Sequence, residues 1–411
     1  MLLVQDLRTW TRLPALPQAC LLLGYRGAME YDFIVVGAGM AGASVAYELA
    51  DTARVCLIER EPLPGHHATG RSAALFAPSY GGRAVRALTR ASRNFFSSPP
   101  GGFAQGRLLT PRGALYISRA DQLDLLDAMI GDIRRSGGTI DRVDVTSILQ
   151  SIPLLRPDYV AAAALDQDAQ DIDVDALHQG FLRGARARGA SLLTDVGGPM
   201  IQRTGGMWMI DLGAQAIAAP VLVNAAGAWG DLVGTSVGAQ ALGLQPLRRT
   251  AVLVDPPTGT NIAAWPAVID VEEQFYFKPD AGKLLISPAD ETLVEACDVQ
   301  PEELDIAIGV DRVQSALALE VERVNHSWAG LRTFAPDREP VIGFDPEISG
   351  LFWSVGQGGY GIQTAPAWAR LAAALACGGE VPADIAAEGV SAADLSPGRF
   401  RDTAKMRKIA L

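Results

Sequence analysis

A short hydrophobic run, a glycine-rich turn and an amphipathic segment form the first regular pattern in the chain. Residues 31–36 are aromatic and β-branched, and residues 43–50, after the turn, place apolar side chains at helical intervals. A second short apolar run lies at residues 55–58. This order of strand, tight turn, helix and strand predicts the beginning of a parallel α/β sheet.

Later segments extend this sheet. Residues 191–194 and 220–223 are short apolar runs that predict two further strands. Residues 173–189 predict a helix with Asp173 as its N-cap, and this helix has a suitable length for a crossover between parallel strands. Near the end of the chain, a strand at 351–355 leads into a second glycine-rich turn and then into an alanine-rich helix.

The segment before that last strand has a different pattern. Residues 247–254, 268–271, 274–278 and 283–287 are strand-like pieces separated by turns that contain proline, aspartate and glycine. Short strands with such turns are typical of an antiparallel sheet. The sequence therefore predicts a second domain that is built on an antiparallel sheet.

The composition limits the partners and the compartment. The 411 residues carry a formal net charge of -11, so the sequence predicts no basic face for nucleic acid or for an anionic membrane. No apolar run approaches the roughly 18 residues that a membrane span requires. The cysteines form no paired motif and are expected to be reduced packing residues of a cytoplasmic protein; they are Cys20, Cys56, Cys297 and Cys377.

The first 29 residues stand apart from these patterns. Their apolar stretch at 13–24 is broken by Pro14 and Pro17, and Asp6 precedes it where an export signal concentrates positive charge. We therefore expect no export signal. Residues 1–29 are predicted to be a flexible extension outside the folded domains.

The glycine turn after the first strand is the strongest chemical motif. Gly37, Gly39 and Gly42 have the spacing of a dinucleotide-binding turn, which needs a tight bend, close approach of backbone to pyrophosphate, and close packing of helix on strand. Glu59 ends the second strand, where an acidic side chain accepts hydrogen bonds from ribose hydroxyls. The motif predicts a bound dinucleotide but does not distinguish FAD from NAD.

Two further loops favour FAD. Residues 64–74 place small side chains and Arg71 just beyond the second strand, where backbone donors and one cation would complete a pyrophosphate site. The second glycine turn, residues 356–361, precedes a helix whose positive end would face the N1 and O2 side of a reduced isoalloxazine. The histidines lack ligand spacing, so we expect no metal and assign hydrogen-bonding or surface roles to His66, His67, His178 and His326.

Several segments together resemble the D-amino-acid-oxidase superfamily of flavoproteins, and within it the bacterial FAD-dependent D-arginine dehydrogenases. The similarity runs from about Tyr31 to Pro397. It is carried by YDFIVVGAGMAGASVAYELA, PGHHATGRSAA, DIDVDALHQGFLRG, VLVNAAGAW, LGLQPLRRTA, FYFKPDAG, HSWAGLRTF and GQGGYGIQT. The resemblance implies an α/β fold (α+β overall) in which a Rossmann-like FAD-binding domain is interleaved with an antiparallel-sheet substrate domain. The implied FAD-binding segments are 30–79, 147–228 and 331–400, and the implied substrate-binding segments are 80–146 and 229–330.

No cysteine stands where a covalent flavin link would be expected, so FAD is predicted to be bound without one. Matched position by position, the expected FAD contacts are Gly37, Gly39, Met40, Ala41, Gly42, Glu59, Arg60, Thr69, Gly70, Arg71, Ser72, Ala73, Ala226, Gly227, Trp229, Arg332, Gly358, Gly359, Tyr360, Gly361, Ile362 and Gln363.

The same matching implies a site for an amino acid substrate. Arg249 and Arg332 are expected to hold the substrate carboxylate, assisted by the Tyr276 hydroxyl. Planar guanidinium groups suit this task because they form charge-assisted, two-pronged hydrogen bonds with carboxylates. Tyr80 is expected to cover the substrate side chain, and Gly359 is expected to offer its carbonyl near the amine.

An ordinary structural role is the alternative for these residues. Arg249 and Arg332 would then make salt bridges, and Tyr80 would be a buried loop aromatic. Arg248 is expected to point to the opposite face of its strand, so it provides a comparison for Arg249.

Two departures from the D-arginine dehydrogenases bear on the substrate. Leu75 stands where they have a histidine, and Ala114 stands where a glutamate receives the substrate guanidinium. A buried guanidinium without that carboxylate loses its partner, so arginine is not the expected substrate. Ala267 and Ile269 are expected on the same apolar wall, and the sequence therefore predicts a neutral D-amino acid.

The predicted reaction is oxidative deamination of that amino acid to a 2-oxo acid and ammonia by hydride transfer to flavin N5. A carboxylate clamp does not reveal what the α-carbon carries, so oxidation of an N-methyl amino acid or a 2-hydroxy acid is an alternative. A flavin-binding module without turnover is a second alternative. The electron acceptor stays open between a quinone, another carrier and oxygen.

Overall fold

The computed structural model describes residues 28–213 and 215–401, so the prediction made for residues 1–27 lies outside it. Within the described ranges the strands are β1 (Met29–Glu30), β2 (Phe33–Val36), β3 (Val55–Ile58), β4 (Leu75–Phe76), β5 (Leu109–Pro111), β6 (Ala114–Ser118), β7 (Asp141–Val143), β8 (Ala162–Asp166), β9 (Gln170–Ile172), β10 (Ser191–Leu193), β11 (Met200–Thr204), β12 (Met207–Asp211), β13 (Ala216–Ala219), β14 (Val221–Asn224), β15 (Gln245–Val254), β16 (Ala267–Asp270), β17 (Tyr276–Asp280), β18 (Lys283–Ser287), β19 (Thr292–Leu293), β20 (Val324–Phe334), β21 (Val341–Phe344), β22 (Leu351–Val355) and β23 (Gln357–Gly358).

The helices alternate with these strands in the first part of the chain and at its end. They are α1 (Met40–Leu49), α2 (Arg83–Ser97), α3 (Leu123–Arg135), α4 (Val145–Ser151), α5 (Val174–Ala187), α6 (Gly230–Ser236), α7 (Glu303–Ala316), α8 (Gly361–Ala376), α9 (Ala383–Ala387) and α10 (Ala392–Leu395). Short 3₁₀ turns lie at Ala120–Gln122, Gly227–Trp229 and Pro397–Phe400.

The first domain is built on a six-stranded sheet in the order β10-β3-β2-β14-β22-β21. Its strands pair in parallel except for β21, which is antiparallel to β22. Helices α1, α2, α5 and α8 cover one face, because alternate residues of β2 and β3 point into their shared apolar core. The predicted parallel α/β sheet of the first domain is confirmed.

Helix α5 begins where the sequence predicts. The Asp173 carboxylate accepts a hydrogen bond from the Ala176 backbone N–H at 2.8 Å, as an N-cap does. The helix runs directly into β10, which pairs in parallel with β3. The predicted crossover is therefore present.

The opposite face of the six-stranded sheet is covered by an element that the sequence analysis missed. Strands β11, β12 and β13 form an antiparallel meander, and β1 joins it through pairing of Met29 with Ile217. Trp208 and Ile210 of this meander pack against Ile34 of β2. Because Met29 belongs to a strand, the predicted flexible extension ends too late.

The second domain is a ten-stranded sheet whose main path is β23-β20-β15-β18-β17-β16-β6-β8-β7. The antiparallel sheet predicted for this part of the chain is present: β15 pairs with β18, β18 with β17, and β17 with β16, all antiparallel. Strand β16 also pairs with β6, in parallel. Strand β8, inside the segment 147–228 assigned to the FAD-binding domain, pairs with β6 and β7. Strand β20 likewise crosses the boundary at residue 331.

Not all of the described cysteines are packing residues, because one of them is exposed. Cys56 is buried and Cys377 is half-buried, whereas Cys297 is exposed; all three are free thiols. The prediction is wrong for Cys297, and Cys20 lies outside the described residues. None of the described helices combines the length and the hydropathy needed to cross a membrane.

We predict that Gly42→Ala destabilises the fold and reduces the FAD content. A Cβ at Gly42 would lie 1.8 Å from the Gly37 carbonyl oxygen, so β2 and α1 would have to separate. The expected cost is at least about 2 kcal/mol, measured by denaturant unfolding. The control is Gly101→Ala, whose Cβ meets nothing within 4 Å and which should change stability by less than about 0.5 kcal/mol. Equal stability of the two variants would contradict the close packing described.

Candidate active site

The first glycine turn is shaped by close contact with protein backbone. Gly37 has a φ of +98°, which favours glycine, and a Cβ there would lie 2.6 Å from the Ala225 carbonyl oxygen. At Gly39 the nearest atom to a Cβ is the Thr69 hydroxyl oxygen at 3.2 Å. Gly37 and Gly42 therefore serve the turn itself, and Gly39 is the position where a side chain would enter the neighbouring cavity.

Glu59 and His178 hold this turn from two sides. One Glu59 carboxylate oxygen accepts a hydrogen bond from the Ala38 N–H at 2.7 Å, and the other accepts from the Glu61 N–H at 3.0 Å. The buried His178 donates through Nε2 to the Ala38 carbonyl at 2.8 Å, and burial lowers its pKa. Each carboxylate oxygen keeps a second lone pair, so Glu59 has free capacity for ribose hydroxyls.

The loop after β3 ties the two domains together. The Thr69 hydroxyl accepts a hydrogen bond from the Met40 N–H at 2.9 Å. The Arg71 guanidinium donates to the carbonyls of Val299 and Ala329, at 2.7 and 3.0 Å, and pairs with Asp298. These contacts fasten the loop to the second domain, and a role for Arg71 as a pyrophosphate cation stays a prediction.

The second glycine turn makes room for side chains of β20. A Cβ at Gly358 would lie 2.2 Å from the Phe334 ring, and a Cβ at Gly359 would lie 2.8 Å from the Arg332 guanidinium. Helix α8 starts at Gly361, so its N-terminal end lies at the same place. The turn therefore brings a helix N-terminus, which favours negative charge, next to Arg332.

A cavity of about 570 Å³ extends from the first glycine turn to the second sheet. Most of the predicted FAD contacts line it: Gly37, Gly39, Met40, Ala41, Glu59, Arg60, Thr69, Arg71, Ser72, Ala73, Ala226, Gly227, Trp229, Arg332, Gly358, Gly359, Gly361 and Ile362. These features suit the parts of FAD: the glycine turn leaves space for the pyrophosphate, Glu59 can accept hydrogen bonds from the ribose hydroxyls, and the N-terminus of α8 can face the flavin ring.

Four predicted FAD contacts are not on the cavity wall; they are Gly42, Gly70, Tyr360 and Gln363. Gly42 packs behind the turn, and a Cβ at Gly70 would lie 2.7 Å from the Gly65 carbonyl. The Gln363 side chain accepts a hydrogen bond from the Ala77 N–H at 3.1 Å. The geometry thus gives these residues supporting positions around the cavity.

Three of the predicted substrate residues meet at the far end of the cavity. Arg249, Tyr276 and Arg332 all line it, on strands β15, β17 and β20. Burial by itself raises the pKa of the Tyr276 hydroxyl. The opposing effect of the Arg332 and Arg249 guanidinium groups is larger, so the pKa lies below its usual value. The end of the cavity is therefore an electropositive region.

The two arginines differ in how their charge is compensated. Arg249 donates to the Asp290 carbonyl at 2.8 Å and pairs with Glu291 at 3.2 Å. Arg332 donates to the Tyr80 hydroxyl at 3.2 Å, and among the residues that the structure describes it has no carboxylate within ion-pair distance. The alternative of an ordinary salt bridge thus applies in part to Arg249 and not to Arg332.

Arg248 points away from the cavity, as expected. It is buried and pairs with Glu302, with Asp305 at 2.8 Å and with Asp290 at 3.8 Å. Removing it would leave carboxylates buried without their partner, so Arg248 is unsuitable as a neutral comparison for mutagenesis.

The wall beside Tyr276 is mainly apolar. Leu75, Ala267 and Ile269 line the cavity together with Tyr80, whose ring packs edge-on against another tyrosine. Ala114 is fully buried beside Ala267 and does not reach the cavity. Ala114, which replaces the glutamate of the D-arginine dehydrogenases, therefore supports the cavity wall from behind and does not contact the cavity itself.

Two charged residues on the wall escaped the sequence analysis. Lys278 lies two positions after Tyr276, on the same face of β17, and its ammonium pairs with Asp171 at 2.7 Å. The alternation of the strand could have indicated Lys278. Glu273 lies in the turn before β17 with a φ of +55°, and no periodic pattern marks such a position.

A glycine turn at the end of a parallel strand, opening into a cavity that ends on a second sheet, defines a two-domain dinucleotide-binding oxidoreductase. The family described as DAO, FAD dependent oxidoreductase, matches residues 32–375. The chain belongs to this family of FAD-dependent oxidoreductases, and FAD is its cofactor. The predicted superfamily and cofactor are confirmed.

Known relatives agree with this assignment. Glycine oxidase from Geobacillus kaustophilus (strain HTA426) is 24% identical over 395 residues, which cover 87% of this chain and 96% of that protein. The solved glycine oxidase from Geobacillus kaustophilus has a TM-score of 0.75 at 22% identity and covers 86% of this chain and 96% of its own. L-proline dehydrogenase from P. horikoshii has a TM-score of 0.74 at 20% identity, with 91% and 98% covered. These structures confirm the fold class.

We predict that Gly39→Leu yields a folded protein that has lost FAD. The Cβ itself fits beside Thr69, but the rest of the side chain would occupy the space next to the turn where a pyrophosphate binds. The ratio of visible flavin absorbance to protein absorbance should fall by about tenfold or more, with an unchanged far-UV circular dichroism spectrum. Gly106→Leu, which adds the same side chain in open space, should keep its FAD. Full retention of FAD by Gly39→Leu would contradict the proposed placement.

Proposed function

We propose that this enzyme oxidises a D-amino acid with a neutral or apolar side chain to the 2-oxo acid and ammonia. The observation that carries the proposal is the Arg332 guanidinium, which faces the cavity without a carboxylate partner among the described residues. A cation in that state is matched by an anionic ligand, and the α-carboxylate of an amino acid suits its planar shape. The curated relative named glycine oxidase supports an amino acid as the substrate class.

The residues around Arg332 would orient the substrate. Arg249 lies on the adjoining strand β15 and Tyr276 on β17 of the same sheet. Both line the cavity with Arg332, so a carboxylate held by Arg332 would also accept hydrogen bonds from them. Tyr80, held by Arg332, would close over the substrate side chain, and the Gly359 carbonyl would accept a hydrogen bond from the amine. Fixing the carboxylate and the amine fixes the direction of the α C–H bond.

FAD, held by the first glycine turn and Glu59, would supply the hydride acceptor for the hydrogen on the substrate α-carbon. The substrate amine is neutral when it reacts, so its lone pair forms the C=N bond as the hydride leaves and no strong protein base is needed. The resulting imino acid hydrolyses in water to the 2-oxo acid and ammonia. Arg332 and Tyr276 keep the carboxylate in place throughout.

The side chain would lie against the apolar wall. Leu75, Ala267 and Ile269 offer no hydrogen-bond partner, so a cationic or strongly polar side chain would lose its hydration there without replacement. The D configuration follows the resemblance to the D-arginine dehydrogenases. Glu273 is the one wall residue that could favour a cation, and its exposed position in a turn makes it a weaker partner than a buried carboxylate.

A second candidate function uses the same clamp. Arg332 recognises the carboxylate and is indifferent to the group on the α-carbon, so an N-methyl amino acid or a 2-hydroxy acid would be held equally well. Anaerobic bleaching of the bound flavin by a panel of D-amino, N-methyl and 2-hydroxy acids tests the choice. Bleaching by none of them would favour a flavin-binding module without turnover.

We predict a low kcat/KM for D-arginine relative to D-methionine, D-leucine or D-phenylalanine. A difference of at least about tenfold is expected, because the apolar wall desolvates the guanidinium and does not pair it. Steady-state kinetics on the purified enzyme with an artificial acceptor measures the ratio. D-arginine as the best substrate would contradict the proposal, and loss of that preference in Glu273→Ala would identify Glu273 as the partner.

We predict that Arg332→Ala keeps FAD and the fold but lowers kcat/KM. Truncating one partner of a desolvated charged pair costs about 2 to 5 kcal/mol, or roughly 30-fold to several thousand-fold. Arg332→Lys should recover only part of the loss, because an ammonium keeps the charge without the planar two-pronged geometry. Amines without a carboxylate should lose much less on either change.

The matched control is Arg323→Ala, an exposed arginine just before the same strand β20. It should leave kcat/KM within about twofold of the parent enzyme, since surface substitutions rarely change a distant site. Parental efficiency in Arg332→Ala would place the substrate carboxylate elsewhere.

A further inference from the structure

Three potential metal ligands come together in the loop after β3, at the rim of the cavity. Glu61, His66 and His67 each offer one ligand atom, and these atoms lie within 4.8 Å of one another. In a tetrahedral zinc site the ligand atoms are roughly 3.5 Å apart, so small side-chain rotations would bring them into range. The His67 Nε2 and the Glu61 carboxylate oxygen are already 3.0 Å apart.

A second observation on His67 points to the same ligand. Its Nδ1 atom is buried and has no hydrogen-bond partner in the described structure; the nearby Asp298 carboxylate oxygen is 4.0 Å away. If the neutral ring donates to Glu61 through Nε2, then Nδ1 presents a lone pair toward a carboxylate, which is unfavourable. If Nε2 instead binds a metal ion, Nδ1 carries the proton and faces the Asp298 carboxylate, and a small rotation of either side chain would bring the two into hydrogen-bond distance.

The second arrangement is a common one in metalloproteins. A histidine that binds a metal almost always donates its other N–H to a carboxylate, a carbonyl or water, which fixes the tautomer and the ring. Here Asp298 is itself held by Arg71, and the His67 ring packs on Trp229 with centroids 4.6 Å apart. The orientation of His67 is therefore set before any metal binds.

Access and ligand type are also suitable. His66 is exposed, so an ion can reach the cluster from solvent, and its Nε2 lies 3.6 Å from the other Asp298 oxygen. Two imidazole nitrogens with one carboxylate suit Zn²⁺, Ni²⁺ or Cu²⁺ and suit Mg²⁺ or Ca²⁺ poorly. Adjacent histidines show no ligand spacing in the sequence, because Glu61 and Asp298 are brought to them only by the fold.

We propose that Glu61, His66 and His67 bind a divalent ion of the Zn²⁺ class at the rim of the FAD cavity, with Asp298 orienting His67. The ion would cross-link Glu61 to the two histidines within the loop that lines the cavity, and Asp298, in the segment that follows β19, would support His67 from outside. Because residues of this loop line the cavity, an ion that rigidifies the loop should slow FAD release. The inference is independent of which substrate the enzyme oxidises.

The test is titration of the FAD-loaded full-length enzyme with ZnCl₂, after removal of metals by a chelator. Calorimetry should show one Zn²⁺ per chain, and an equal concentration of MgCl₂ should not displace it. Asp298→Asn should weaken binding by about 10 to 100-fold, as loss of an orienting carboxylate does, and Glu61→Gln and His66→Ala should weaken it more. The rate of FAD release in mild denaturant should fall with Zn²⁺ in the parent enzyme and stay unchanged in His66→Ala.

The matched control is His326→Ala, which removes an exposed histidine far along the chain and should keep the site. Since His66 is exposed, His66→Ala should fold and retain FAD, and the conservative Glu61→Gln provides an independent variant. A ring protonated on both nitrogens would also satisfy His67, and in that case the parent enzyme binds Zn²⁺ no more tightly than His66→Ala. That result, or loss of binding in His326→Ala, overturns the proposal.

Discussion

A half-buried guanidinium that has no carboxylate partner among the described residues is the constraint around which one end of the cavity is arranged. Placing such a charge away from water is costly, and Arg332 is supported here by oriented neutral groups, including the Tyr80 hydroxyl at 3.2 Å. Its guanidinium lies so close to Gly359 that a Cβ there would approach it to 2.8 Å. The second glycine turn is therefore shaped by the arginine as well as by the cofactor. The carboxylate of the proposed substrate would supply the negative charge that the described residues around Arg332 do not provide.

The cavity lies where the two domains interleave, and several contacts hold that boundary together. Strand β20 pairs with β15 along most of its length and with β23 of the second glycine turn at its end, so one strand carries Arg332 to the cofactor. Arg71 crosses the boundary from the other side, and its own carbonyl accepts a hydrogen bond from the Trp328 indole at 2.9 Å. The position of Arg332 relative to the first domain is thus fixed by hydrogen bonds from both sides of the boundary.

The sequence was informative wherever a local rule decides the structure. The first glycine turn, the N-cap at Asp173 and the opposite faces of Arg248 and Arg249 all follow from spacing along a single element. The missed features depend on contacts between distant segments. The meander of β11 to β13 has partly exposed strands without a clear alternation, and Ala114 lies behind the wall because of a parallel pairing with β16 that no local pattern specifies.

The unequal compensation of the two arginine charges would give them different tasks in the proposed carboxylate clamp. Glu291 compensates Arg249 and also accepts hydrogen bonds from Arg338, at 2.8 and 3.0 Å. Burial raises the Glu291 pKa, but these hydrogen bonds and the charges of Arg338, Arg249 and Arg332 lower it more, to below its usual value. The stability from this network is therefore present above the ordinary glutamate pKa and is lost as the pH falls through the lowered value. Over the pH range in which an amino acid amine is partly neutral, Glu291 stays ionised and holds Arg249 in place. In the proposed clamp, Arg249 would then supply geometry and Arg332 the uncompensated charge, so one arginine would orient the substrate carboxylate and the other would neutralise it.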